Sequence, residues 1–150
     1  MSEYIRVNPE RIKWCCDKYS ISVDSLAKKS DIKLDKLINL LEKKIDLPLN
    51  NYDVFINISG GIKIKESSAD LAVIAAIISS FRDRPISKES AFIGEVSLTG
   101  EIKDVYSIDL RLKEAQAQGM KKAVIAQKTN LKLDIKTYAV DEVSKMIELF

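Results

Sequence analysis

Residues 69–82 limit how this chain can fold more than any other stretch, because Leu71, Ala72, Ile74, Ala75, Ile77, Ile78 and Phe81 are spread around most of a helical circumference. A surface helix keeps its apolar residues on one stripe, so apolar positions on several sides predict a helix covered on more than one face, at the centre of a core. Arg82-Asp83-Arg84-Pro85 closes it, since proline cannot continue the hydrogen-bond ladder.

The segments on either side supply partners for such a helix. Val54, Ile56 and Ile58 alternate before Ser59-Gly60-Gly61 and Ile62 and Ile64 follow, which reads as a β-hairpin. Ala91–Val96 and Glu101–Val105 read as two strands around Ser97-Leu98-Thr99-Gly100. A helix is expected from about Ser107 to Gln118, with Gly119 at the left-handed position that ends it. Residues 122–126 and 135–140 have the composition of buried strands, and Asp141 suits the cap of a final helix carrying Val143, Met146, Ile147 and Phe150 on one face.

The first part of the chain has a different period. Asn8-Pro9 opens a helix whose Ile12, Cys15, Cys16 and Tyr19 share a stripe, and Ser22 opens a second that buries Val23, Leu26 and Ala27. A third places Leu34, Leu37, Ile38 and Leu41 inward and leaves Lys33, Lys36, Lys43 and Lys44 toward water until Pro48 breaks the pattern. The expected organisation is a three-helix head at residues 1–46 and an α/β (α+β) domain at residues 47–150.

Chemistry is limited by what the chain lacks. There is no histidine, and Cys15 and Cys16 are the two cysteines, so neither a four-ligand zinc site nor a Ser-His-Asp or Cys-His unit can be assembled within one chain. The adjacent cysteines read as small buried apolar residues, and no cofactor or metal is expected. A net charge of +2 does not announce a polyanion partner, although it leaves room for a local basic face. No apolar run reaches the length of a bilayer span and no signal-peptide pattern opens the chain, so the expectation is cytoplasmic, without a membrane partner.

From about Leu37 onward, Leu47-Pro48-Leu49, Asn51-Tyr52-Asp53-Val54-Phe55-Ile56-Asn57, Ser59-Gly60-Gly61, Ser67-Ser68-Ala69-Asp70-Leu71-Ala72, Ser79-Ser80-Phe81-Arg82-Asp83-Arg84-Pro85 and Gly94-Glu95-Val96 resemble the C-terminal domain of the RadA (Sms) family of bacterial recombination proteins. The resemblance implies a Lon-protease-like fold, related to the second domain of a small-subunit ribosomal protein. It also implies a role in DNA repair and homologous recombination, where the family acts as a ring-shaped, ATP-driven branch-migration motor. The motor itself is not in this sequence: no G-x-x-x-x-G-K-[ST] loop and no four-cysteine zinc module occurs. The implied role is self-assembly, with a ring as one form, and weak, sequence-independent DNA contact, beside the ATPase domain of a longer protein if this chain is a fragment.

The same resemblance frames a question of catalysis. Lon-type enzymes pair a serine nucleophile with a lysine that gives up its proton. By alignment Ser68 takes the serine's position, and Asp109 takes the lysine's, counted from Gly94 and from Gly119. Lys113 lies a helical turn beyond, so a pseudo-protease is expected, with a residual Ser-dependent peptidase as an alternative. Read from the residues alone, Ser68 is a helix cap and Asp70 complements the dipole.

Residues 8–45 resemble an XRE-type helix-turn-helix, which implies base or phosphate contacts from Lys33, Asp35, Lys36 and Asn39 and gives a further alternative, a transcriptional regulator with an α/β oligomerisation domain. In the main domain Arg82, Arg84, Arg111, Lys113, Lys121 and Lys122 are the basic candidates, expected near one edge as a DNA-facing surface, with scattered solvated charge as the plainer reading.

Overall fold

The computed structural model describes residues 34–49, 52, 54, 56 and 66–149. The helices expected to open at Asn8-Pro9 and at Ser22, the cysteine pair, Lys33, most of the 54–64 hairpin and Phe150 lie outside the described residues. The chain divides into two compact units, Met1–Lys65 and Glu66–Phe150.

In the first unit, helix α1 (Leu34–Ile45) follows the expected periodicity. Leu37, Leu40 and Leu41 are buried, so the inward stripe is centred one position from the expected one and includes Leu40. Lys43 and Lys44 are exposed in the last turn, where cations complement the dipole. The helix stops before Pro48: Asp46 takes a left-handed φ of 55°, and Leu47 N–H donates to Leu41 C=O at 3.4 Å.

In the second unit, a single 3-10 turn at Ser67–Ala69 leads into helix α2 (Asp70–Arg82). Leu71, Val73, Ile74, Ala75, Ile77 and Ile78 are all buried, which is the multi-sided packing its composition predicts. Its end is a Schellman motif without glycine. Asp83 adopts φ 54° and donates to Ser80 C=O, while Arg84 N–H reaches Ser79 C=O at 3.0 Å, just ahead of Pro85.

Strands β1 (Ser90–Phe92), β4 (Lys122–Ile125) and β5 (Lys136–Ala139) form a parallel sheet in the order β1-β4-β5, with Ala91 beside Ala123 and Ala123 beside Thr137. Parallel neighbours need a crossover, and α3 (Ile108–Ala117) lies within the one between β1 and β4. It packs through Leu112, fully buried with Ala123, Ile125 and Ile135. Gly119, at φ 85°, ends α3 as expected, with Met120 N–H bonded to Ala115 C=O.

The single strand expected over 91–96 is two. It breaks at Ile93-Gly94, and β2 (Glu95–Val96) continues as a separate antiparallel pair with β3 (Ile102–Lys103) around the expected turn, where Gly100 has φ 89°. Gly94 causes the break. Its N–H donates to Ser68 C=O at 3.0 Å and its C=O accepts from Leu71 N–H at 3.1 Å, so its backbone bonds the start of α2 rather than a strand. The final helix α4 (Val143–Met146) is shorter than expected and passes into a 3-10 turn at Ile147–Leu149. Asp141 does not cap it: Glu142 holds the cap position, and Asp141 pairs instead with Lys145 at 2.7 Å. That pairing keeps the Asp141 carboxyl below, and the Lys145 amine above, its ordinary range.

A β-carbon on Gly94 would stand 2.9 Å from Ile102 Cγ2 and 3.2 Å from Leu71 Cδ2, both on buried side chains. Gly94→Ala is expected to lower the unfolding free energy by about 1–3 kcal/mol, the usual cost of forcing a methyl into a filled core, and urea denaturation checks it.

Candidate functional site

The start of α2 and the start of α3 meet at a polar cluster built from residues far apart in sequence. Arg111, in the first turns of α3, is half-buried and fixed at three points. Its Nε donates to Tyr106 C=O at 3.0 Å, its Nη1 to Ser68 Oγ at 3.3 Å, and its Nη2 to Glu66 Oε2 at 2.7 Å. Ser68 Oγ in turn donates to the same Glu66 oxygen at 3.0 Å. Ser67 Oγ donates to Glu95 Oε2 at 2.7 Å and Val96 N–H to Asp70 Oδ2 at 3.4 Å, so the whole 66–71 segment is tied to 94–96.

Ser68 therefore does not cap α2. Neither the 3-10 turn nor α2 has a side-chain cap, and the donors at the start of the helix are met in part by Gly94 C=O. The hydroxyl turns sideways to the Glu66–Arg111 pair because a charged partner on each side binds it more strongly than a backbone N–H. The Arg111 guanidinium, and then the Ser68 hydroxyl, hold the Glu66 carboxyl below the usual carboxylate range.

Asp109, the residue that alignment sets opposite Ser68, accepts a hydrogen bond from Thr129 Oγ1 at 3.1 Å, while the group bonded to Ser68 Oγ is Arg111, two residues further on. Lys113 is exposed on α3. Arg82 and Arg84 are exposed at the far end of α2, whose 13 residues span roughly 20 Å. Arg82 and Arg84 therefore lie at the opposite end of α2 from Arg111, which bonds Glu66 and Ser68 just before its start. Lys121 is engaged by Glu89 at 2.6 Å, and Lys122 is exposed. In the other unit Lys36 is half-buried on α1, whereas Asn39 is exposed; both have partners.

The family described as subunit ChlI of Mg-chelatase matches residues 22–129. The chain belongs to that family. The description is the family's own; the individual proteins to which this chain is similar are DNA repair proteins. It is 53% identical over 116 residues to the DNA repair protein RadA of Campylobacter jejuni, covering 77% of this chain and 26% of that protein. To RadA of Helicobacter pylori strain 26695 it is 51% identical over the same extent. To RadA of Aquifex aeolicus it is 39% identical over 118 residues, 78% of this chain and 27% of that one. The chain spans about a quarter of the length of these curated relatives and carries a RadA-related region.

Three members of the site escape a reading of the sequence. Glu66 heads the recognisable motif but nothing in it signals a pairing with Arg111, Tyr106 C=O is a backbone atom, and Thr129 stands in a stretch without regular structure. No spacing rule links positions 45 apart, as Glu66 and Arg111 are; only the packing of α3 on its sheet brings them together.

A carboxylate held low by a cation contributes stability above its unfolded pKa and loses it as pH falls through the folded value. The Glu66 carboxyl is therefore expected to titrate below the ordinary glutamate range by NMR, with its share of stability lost as pH falls through that lowered value. Arg111→Gln is expected to return the midpoint upward, and an unmoved midpoint would show that the guanidinium is not the cause.

Proposed function

We propose that this region is a non-catalytic, Lon-like α/β domain of a RadA-type DNA repair and recombination protein, serving assembly and DNA contact. The observation that carries the non-catalytic part is the company Ser68 keeps. A serine nucleophile needs a neighbour able to accept its proton near neutral pH. Ser68 Oγ has instead a guanidinium, which does not deprotonate in proteins, and a carboxylate whose basicity that guanidinium lowers. Each neighbour already has its own partner, so the cluster works as a fastener between α2 and α3.

The DNA part is supported by the similarity to DNA repair proteins and by exposed Arg82, Arg84 and Lys113, none of them on a buried face. Exposed cations of this kind suit contact with a phosphate backbone rather than with base edges, and the contact would be weak and salt-sensitive. Assembly is supported by the same relationship and by large apolar side chains left exposed, Leu98, Tyr106 and Leu110.

Incubation with a fluorophosphonate probe is expected to leave Ser68 unlabelled; labelling that vanishes on Lys113→Ala would overturn the non-catalytic reading. In a salt titration of DNA binding, replacing Arg82, Arg84 and Lys113 together by Gln is expected to flatten the slope of log K against log salt by about 0.9 for each duplex phosphate that the variant no longer neutralises. An unchanged slope would remove these residues from the interface.

A further inference from the structure

Strand β5 ends the three-stranded sheet, whose order is β1-β4-β5. Lys136 N–H donates to Lys121 C=O and Val140 N–H to Ile125 C=O, each at 2.9 Å, so the even-numbered residues of β5 turn their backbone toward β4. Successive residues of a strand address opposite edges, and in a parallel ladder the N–H and C=O of one residue point the same way. Thr137 and Ala139 therefore turn both groups outward, and among the described residues nothing bonds them. Ala139 is exposed, so the rim of the sheet is open there.

An open edge is normally blunted by charge, proline, a bulge or a covering element. The one guard on β5 is Lys136, and its placement is informative. The register sets Lys122 beside Lys136 and Val124 beside Tyr138. Ala123 and Ile125 pack with Leu112 of α3, so Lys122, Lys136 and half-buried Tyr138 belong to the opposite face. Lys136 Nζ lies 5.0 Å from the centre of the Tyr138 ring, folded along the strand rather than out across its edge. Both lysines are exposed, and neither is in an ion pair among the described residues: Glu89 is taken by Lys121, and exposed Asp134, two residues before Lys136, pairs with neither.

We propose that the outer edge of β5 receives an extended, acidic segment of a partner protein as an added strand. The backbone decides that the occupant is a strand: two residues about 6.6 Å apart, each offering a donor and an acceptor along one line, are met together by an extended chain and by no helix. Charge decides which strand. A carboxylate beside Lys136 neutralises the two unpaired lysines, and an apolar side chain two residues away, on the same face, covers Tyr138. A second copy of β5 fits less well, because parallel pairing in register sets Lys136 against Lys136, and antiparallel pairing about Tyr138 brings no carboxylate. The proposal stands apart from the DNA-contact reading, and either can fail alone.

The test is a titration of the full chain with three capped hexapeptides, followed by amide NMR. The first is Thr-Glu-Thr-Val-Thr-Val, the second has lysine in place of glutamate, and the third is the first with every backbone amide N-methylated. Saturable shifts of the Thr137 and Ala139 amides are expected with the first, roughly threefold weaker binding with the second, and no such shifts with the third. Lys136→Glu is expected to invert the preference between the first two, a result that loss of folding cannot produce. Ala139→Pro removes an outward N–H and leaves the ladder to β4 intact, so it is expected to abolish the response with the circular dichroism unchanged. The proposal falls if the two amides stay still at millimolar peptide, if the N-methylated peptide moves them equally, if Lys136→Glu keeps the original preference, or if folded Ala139→Pro responds as the wild type does. Movement of these amides with chain concentration in the absence of peptide would assign the edge to a second copy, and the proposal would fall with that as well.

Discussion

The second unit is organised by an exchange of two backbone hydrogen bonds at Gly94. Its N–H meets Ser68 C=O and its C=O meets Leu71 N–H, so the chain leaving β1 is stitched to the start of the central helix. The stitch requires two backbones to approach with no side chain between them, and a β-carbon would strike Ile102 and Leu71. Everything polar nearby follows from that approach. Ser67 reaches Glu95, Asp70 reaches the Val96 amide, and Ser68, its own carbonyl committed, is turned so that its hydroxyl meets Glu66 and Arg111.

The apolar and polar halves of the unit then constrain each other. Leu112 seats α3 on Ala123, Ile125 and Ile135, and this placement carries Arg111, one residue earlier, toward the start of α2. Neighbouring residues on a helix point about 100° apart, so burying Leu112 leaves Arg111 at the boundary of the core, where a long side chain can lay down its stem and keep its charged end at the surface. A single helix thus anchors the sheet, closes the polar cluster and presents Leu110 to water, with exposed Tyr106 in the turn before it. The cluster ties the start of α2 to α3. Its cation is permanent, its carboxylate is held low, and its hydroxyl is shared between them.

Much of this was legible in the residues. The all-round apolar pattern of 69–82 announced the central helix, Gly119 announced the left-handed end of α3, and the buried strand at 122–125 stood out by composition. The segments read less well show why. The 91–96 strand is locally plausible, yet Gly94 finds its partners at residues 68 and 71. Ser68 and Asp141 are good caps by type, but each has a charged partner that binds its oxygen more strongly than a backbone amide does. Arg82 and Arg84 lie at one end of α2 and Arg111 at the other, a separation that residue type does not announce.

By itself the sequence determined the periodic elements, the apolar positions, the absence of histidine chemistry and the relationship to RadA, because each of these is written in residue type and short-range spacing. Tertiary structure alone decided which carboxylate meets Arg111, where the Ser68 proton points and which aromatic ring is left in water. Those depend on how far apart in space residues such as 66, 68, 106 and 111 finish, and that distance is set by packing a helix on a sheet, which no local pattern encodes.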